Sequence, residues 1–367
     1  MKVELEKAGR YSFPMGVMDI AVRQDDQRLY AACLDGVYSL ELPSREAKDD
    51  AAKPACLGRH ASYVSGVGLL ENDLSLASTA YDGTLEIRSL DPTTGAPTET
   101  RFRDSIHSFW SWRMAVSPDR KKICSVSGQY LAGSEDYAPL PSDEPTVKLI
   151  DAVSGKTLQG LTMLPPVQCV AFDPTGRYLA AGNLMGDLAV WDVVSGDVLA
   201  QWRTTSFTSW GIIKSHCYIS GIFAVSFSRD SQTLYAAGMG EMRDPMAGNG
   251  KQLWQRFAWC NNPVEKVQEA VADQTGEGLM ETLAWHPSGD YFVMAGRLRG
   301  GAWNTGIFSA EGGQLIGQAK TGMRISSAQF SEDGKVLYLA GMQGQPRPKD
   351  GHFPDFGYVE RYLVASS

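Results

Sequence analysis

A pattern of apolar residues that returns seven times is what most restricts the fold open to this chain. Each copy reads apolar, two residues, apolar, one residue, large apolar, then a short polar turn. Val17, Ile20 and Val22 precede RQDDQ; Val64, Val67 and Leu69 precede LENDL; Ser111, Met114 and Val116 precede SPDRK. Val167, Val170 and Phe172 precede DPTGR, and Ile222, Val225 and Phe227 precede SRDSQ. Met280, Leu283 and Trp285 precede HPSGD, and Ile325, Ala328 and Phe330 precede SEDGK. The last apolar positions, 22, 69, 116, 172, 227, 285 and 330, are separated by 47, 47, 56, 55, 58 and 45 residues. A period in the forties is that of one four-stranded sheet in a radial array, and the longer steps mark insertions.

A second apolar run follows each turn: RLYAAC, LSLAST, KKICSV, RYLAAG, QTLYAAG, DYFVMAG and KVLYLAG. A third comes after it: GVYSLEL, GTLEIRSL, TVKLID, GDLAVWD, KQLWQRF, AWNTGIF and GYVERYLV. A weaker fourth, such as GDVLAQW at 196–202, appears in some copies. Short strands bounded by Gly, Asp, Asn and Pro turns predict an all-β, radially repeated fold. Asn262-Pro263-Val264-Glu265 could open a short helix, but the repeat favours an outer strand there.

The fourth copy carries a resemblance. Gly186-Asp187-Leu188-Ala189-Val190-Trp191-Asp192, after Asp173-Pro174-Thr175-Gly176 and Leu179-Ala180-Ala181-Gly182, resembles the inner three strands of a WD40 repeat. Gly58-Arg59-His60 stands near the Gly-His pair of that family in the second copy, with Asp82 22 residues after His60. The resemblance implies one WD40-like domain over 1–367, a seven-bladed β-propeller of four-stranded antiparallel blades. It implies structural roles for His60, Ser78 and Asp82, joined by a buried His–Asp hydrogen bond, and for Asp187, Trp191 and Asp192.

A ring of blades must also be closed, because an open seam exposes a sheet edge. Only 37 residues follow the seventh marker, enough for two more strands of the last blade but not three. Val3-Glu4-Leu5-Glu6-Lys7 alternates and precedes the first copy. A strand at 3–8, lying beside Tyr358 to Val364, is therefore expected to complete blade seven.

In the connectivity of the family, loops between second and third strands and loops joining successive blades emerge on one face. The insertions at 129–144, 203–218, 239–249 and 342–356 fall in such loops, as does 104–110. They hold candidate partner-binding residues Trp110, Tyr130, Tyr137, Phe207, Trp210, Arg243, His352, Phe353 and Phe356, with Phe109 and Trp112 beside them. Packing of each loop onto the blade tops is the alternative role for any of these side chains. For Trp112, in an inner strand, packing is the expected role.

Signals for chemistry are absent. Gly155-Lys156-Thr157 lacks the glycine a phosphate loop needs at position 150, which is Ile150, and reads as a strand-connecting turn. No G-x-S-x-G or H-E-x-x-H occurs, and His60, His107, His216, His286 and His352 are isolated. Asp25-Asp26, Asp49-Asp50 and Glu332-Asp333 read as solvated turn or linker residues without a base partner. The cysteines, Cys33, Cys56, Cys124, Cys169, Cys217 and Cys260, form no C-x-x-C pair and read as small buried hydrophobes. With 34 basic against 42 acidic residues, the net charge of −8 argues against nucleic-acid binding. No apolar run of membrane-spanning length exists, and the charged start MKVELEKAGR points to the cytoplasm. No cofactor or metal is expected. The expected function is a non-catalytic scaffold that presents an enlarged loop face to a protein partner. The alternative is an enzyme or small-ligand binder, a hydrolase or lactonase-like propeller working at the central channel mouth.

Overall fold

A computed structural model describes all residues except 26, 46–51, 132–137, 140–142, 208–220, 245–248, 271–277, 298–300, 345 and 352–353. For 130–131, 138–139, 241–244 and 249–250 only the backbone is described. Seven four-stranded antiparallel sheets follow the seven copies of the repeat. Blade 1 is Val17–Val22, Arg28–Cys33, Gly36–Glu41 and Ala55–Gly58; blade 2 is Val64–Leu70, Ser75–Ala80, Thr84–Leu90 and Pro97–Ser105. Blade 3 is Arg113–Val116, Lys122–Val126, Val147–Asp151 and Thr157–Leu161; blade 4 is Val167–Phe172, Tyr178–Asn183, Asp187–Asp192 and Val198–Arg203. Blade 5 is Ile222–Phe227, Leu234–Asp244, Asn249–Ala258 and Glu265–Glu269; blade 6 is Met280–Trp285, Tyr291–Gly296, Thr305–Ser309 and Leu315–Ala319. Glu265–Glu269 is thus a strand, as the repeat required. Blade 7 is Arg324–Phe330, Val336–Met342, Gly357–Ser366 and, from the other end of the chain, Val3–Phe13.

The second strand of each blade reads as continuous apolar sequence because both of its faces are buried, each against a different neighbour. In blade 1, Leu29, Ala31 and Cys33 pack toward blade 7, whereas Tyr30 and Ala32 pack toward blade 2. In blade 7, Val336, Tyr338 and Ala340 face blade 1 and Leu337 and Leu339 face blade 6. The period of two in a strand thus divides one run of residues between two cores. One apolar cluster lies at every junction between successive blades, the junction of blades 7 and 1 included. The small residue that ends several second strands has a steric cause. A Cβ on Gly296 or Gly341 would strike the backbone carbonyl of Leu279 or Arg324, where the chain enters the inner strand. Cys33, Cys124 and Cys169 are buried as expected; Cys56 and Cys260 are exposed, and Cys217 lies outside the described residues.

Closure follows the expected route and extends it. The amino-terminal strand runs to Phe13 rather than ending at 8, pairing from Val3 opposite Ser366 to Phe13 opposite Gly357. Its far half contributes Tyr11 and Phe13, both fully buried, to the core with blade 1. Polar ties cross the same seam: Ser326 Oγ donates to the Val17 carbonyl at 2.6 Å and the Val22 N–H donates to Gln329 Oε1 at 3.1 Å. Asp333, expected to be a solvated turn residue, receives Arg45 through both terminal guanidinium nitrogens at 2.6 and 3.2 Å.

Antiparallel order puts the second-to-third connections and the blade-to-blade connections on one rim, here called the loop rim. The insertions flanked by strands of blades 3, 5 and 7, and the stretch between blades 4 and 5, all belong to it. The connection 42–54, between the third and outer strands of blade 1, is the long excursion on the opposite rim. Removing residues 1–9 takes away most of the strand that seals blade 7. The midpoint of thermal unfolding should fall by roughly 10 °C or more, the scale of several kcal/mol in a chain of this size. An unchanged melting curve would contradict the closure.

Candidate functional site

The inner strands carry their most polar side chains at one level, near the loop rim, where the repeat leaves its two-residue spacer. In blades 1, 2, 4, 5, 6 and 7 the pairing register shifts at this spacer, after Val17, Val64, Val167, Ile222, Met280 and Ile325. Such a bulge adds a residue and re-aims the side chain beside it. The equivalent position in blade 3 is Arg113, the first residue of its inner strand. Its guanidinium crosses the axis. Nη1 donates to the Met18 carbonyl of blade 1 at 3.3 Å, and Nη2 donates to the carbonyls of Glu281 in blade 6 at 3.1 Å and Ser326 in blade 7 at 3.0 Å.

Asp19 sits beside it. One carboxylate oxygen accepts the Val67 N–H at 3.2 Å, and the other accepts the Ser327 hydroxyl at 2.8 Å. Burial raises the pKa of Asp19; the Arg113 charge and these two donors oppose the rise. Glu281 takes a two-point contact from Arg324, at 2.5 and 3.1 Å. Burial works against the Arg324 charge, yet Glu281 outweighs it and holds the guanidinium above its ordinary value. The axis also contains a cavity of about 280 Å³, lined by Asp19, Arg113, Cys169, Glu281 and Ser327 among others.

An aromatic cluster stands at this mouth. Trp110 stacks on Tyr81 with centroids 4.8 Å apart and on Phe109 at 5.2 Å, both nearly parallel. Trp112 meets Tyr81, Phe109 and Trp110 edge-on, and its indole N–H donates to the Gly128 carbonyl at 2.9 Å. Tyr63 lies tilted against Tyr81 at 6.0 Å. Burial raises the Tyr81 pKa, and the charges of Arg113, Arg324 and Glu281 act on the same phenol, so the cluster and the axial polar groups share one mouth. Trp110 and Tyr63 remain 40% and 51% exposed despite these contacts.

Of the nine residues expected to bind a partner, Trp110 is the one seen on the rim with an exposed side chain. Phe207 and Phe356 are corrections, since both are buried. Phe207 closes a single 3-10 turn and packs between blades 4 and 5, and Phe356 lies inside the approach to the third strand of blade 7. Both rings are buried because that removes their apolar surface from water. The Tyr130 backbone pairs with Pro139 in a small hairpin, and the Arg243 backbone belongs to the extended second strand of blade 5. Tyr137, Trp210, His352 and Phe353 lie outside the described residues. Sequence reasoning missed Tyr63, Tyr81 and the axial set. Both tyrosines sit in short loops of the same rim, and the axial residues occupy the spacer that the apolar count skips.

The residues expected to be structural make the following contacts. His60 is held by Ser78, Nε2 to Oγ at 2.9 Å, but its Nδ1 meets Thr84 Oγ1 at 2.7 Å and stands 3.8 Å from Asp82. Thr84 therefore replaces the expected direct His–Asp bond and passes it on, donating its hydroxyl to Asp82 at 2.5 Å. Asp82 also accepts the Ala61 N–H at 2.8 Å. Asp187 receives Arg203 at 2.6 and 3.0 Å, Trp191 is buried between blades 3 and 4, and Asp192 caps the following turn through the Val194 and Ser195 N–H groups. His107 repeats the serine contact of His60 one blade on, with Nε2 3.1 Å from Ser125 Oγ. Gly155 lies in a turn closed on Asp151, as its neighbours implied.

A family model described as WD domain, G-beta repeat matches residues 157–192, which span the outer strand of blade 3 and the first three strands of blade 4. No curated protein matches the chain. Among the described residues no three His, Cys, Asp or Glu side chains gather as metal ligands.

His107 supplies a pH test. Burial, aided by the Lys148 charge, lowers its pKa to about 4. The unfolded chain keeps the ordinary value, so below about pH 6.5 it binds a proton that the native state refuses, and stability falls toward pH 4. Urea unfolding at about pH 7 and about pH 4.5 should show a loss roughly 2 kcal/mol smaller in His107→Gln than in the parent. Equal losses would mean that the imidazole is not held neutral.

Proposed function

The chain is a WD40-repeat β-propeller, and from that premise we propose that it is a non-catalytic scaffold whose loop rim receives a protein partner at the channel mouth. The observation that carries this reading is the aromatic cluster of Tyr63, Tyr81, Phe109, Trp110 and Trp112, rigid through mutual stacking yet open to solvent at Trp110 and Tyr63. Aromatic side chains already fixed in place lose little freedom on binding, and they dominate interface energies when a partner covers them. The polar groups beside them supply direction: Glu281 is nearly buried, while the Arg324 side chain that pairs with it is 45% exposed. Insertions in blades 3, 5 and 7 border the same rim and enlarge the surface available to a partner. A partner of this kind is a folded or extended polypeptide; the acidic chain is unsuited to nucleic acid.

The competing use of the mouth, binding or transforming a small molecule, has the axial cavity in its favour. Three of the bonds that Arg113 makes there go to backbone carbonyls of other blades, which is the work of a brace.

Affinity capture with the intact protein, repeated with Trp110→Ala, Tyr63→Ala and the loops 129–144 and 342–356 shortened in turn, tests the assignment. Trp110→Ala should reduce partner recovery about tenfold or more while the melting temperature moves by only a few degrees. Val194→Ala, on the opposite rim, should leave recovery unchanged. Partners retained by every rim variant would show that the binding face lies elsewhere.

A further inference from the structure

The side wall of the ring is made of seven outer strands, and most are guarded against pairing with other chains. The outer strand of blade 2 carries Glu99, Arg101, Arg103 and Asp104, that of blade 5 carries Glu265, Lys266 and Glu269, and that of blade 7 carries Glu4, Glu6 and Lys7. Blade 1 ends in a strand of only four residues. The uncharged outer strand of blade 6 lies against the amino-terminal strand, with Gly317 close to Val3 and Ile316 packed on the adjoining core. Charge, brevity and cover are the usual protections of a sheet edge.

Among the described residues, nothing covers the outer strands of blades 3 and 4, and charge is nearly absent from them. Thr157–Leu161 is wholly uncharged, and Val198–Arg203 is uncharged up to its last residue. Of the large apolar side chains exposed among the described residues, Val153, Leu158, Leu164, Val194, Val198 and Leu199 all belong to these two blades. Val198–Arg203 ends its sheet, bonded to Asp187–Asp192 on one side and to no further strand on the other among the described residues.

We propose that the outer strand of blade 4 pairs antiparallel with the same strand of a second copy of this chain, about a twofold axis at Ala200. The charges at its ends select this occupant. About that axis Leu199 lies across from Gln201 and Val198 from Trp202, and Asp197 of each copy falls within one residue of Arg203 of the other, the bulge at Leu199 making the offset. Asp197 is exposed in the turn before the strand, and the Arg203 side chain, although bonded to Asp187, is still 46% exposed. The neighbouring strand of blade 3 lacks this self-complementarity, because the same operation would place Lys156 opposite Thr162. Leu158 and Val194 flank the pairing line and widen the apolar contact. The loop rims of both copies stay free, so this contact is independent of the partner surface at the channel mouth.

Sedimentation of the full chain between about 1 and 200 µM should show a monomer–dimer equilibrium, with Leu199→Lys weakening the dimer about tenfold or more. Asp197→Lys, in an exposed turn, should weaken it about threefold or more and decides the matter if Leu199→Lys fails to fold. A monomer at every concentration, or a dimer that both substitutions leave intact, overturns the proposal.

Discussion

Every sheet in this molecule depends on having two neighbours. A blade of four short strands with apolar side chains on both faces has no stable existence alone, and each face is covered only when the next blade leans on it. The seven interblade clusters are therefore one continuous core bent into a circle. Closure joins the same system, because Tyr11 and Phe13 on the amino-terminal strand fill the junction of blades 7 and 1 while Val3 on that strand fills the junction of blades 6 and 7.

That dependence explains what could be read in advance. Strand identity and order were legible from the apolar periodicity because burial on both faces forces nearly unbroken apolar runs such as RLYAAC and KVLYLAG. The closing strand was legible from a deficit, since blade 7 had too few residues after Phe330. The polar staple was legible in outline: His60 and Ser78 meet as the resemblance implied. Thr84, two residues beyond Asp82, takes over the contact with the histidine, and spacing alone does not distinguish a direct bond from one relayed through a hydroxyl.

The candidate site was less legible, for two physical reasons. Aromatic residues in loops carry no periodic signal, so Trp110 at the surface and Phe207 in the core look alike until the space beneath each loop is known. The axial groups were hidden by the repeat itself. Asp19, Arg113 and Ser327 stand in the two positions between apolar anchors, which a count of apolar residues passes over. The bulges beside Asp19 and Ser327 turn the spacer toward the axis, and that geometry is set by strand pairing across a whole blade.

The two ends of the chain meet. The Lys2 N–H donates to the Ser367 carbonyl and the Ser367 N–H donates to the Lys2 carbonyl, both at 3.0 Å. Strand direction in blade 7 sets this meeting point on the rim opposite the channel mouth. A tag, a label or a fused domain joined at either end consequently departs from a single spot, facing away from the aromatic cluster. Immobilising the molecule through its termini would present that cluster outward, and joining the old ends through a short peptide would let new ones be cut into another blade while the circle stays sealed.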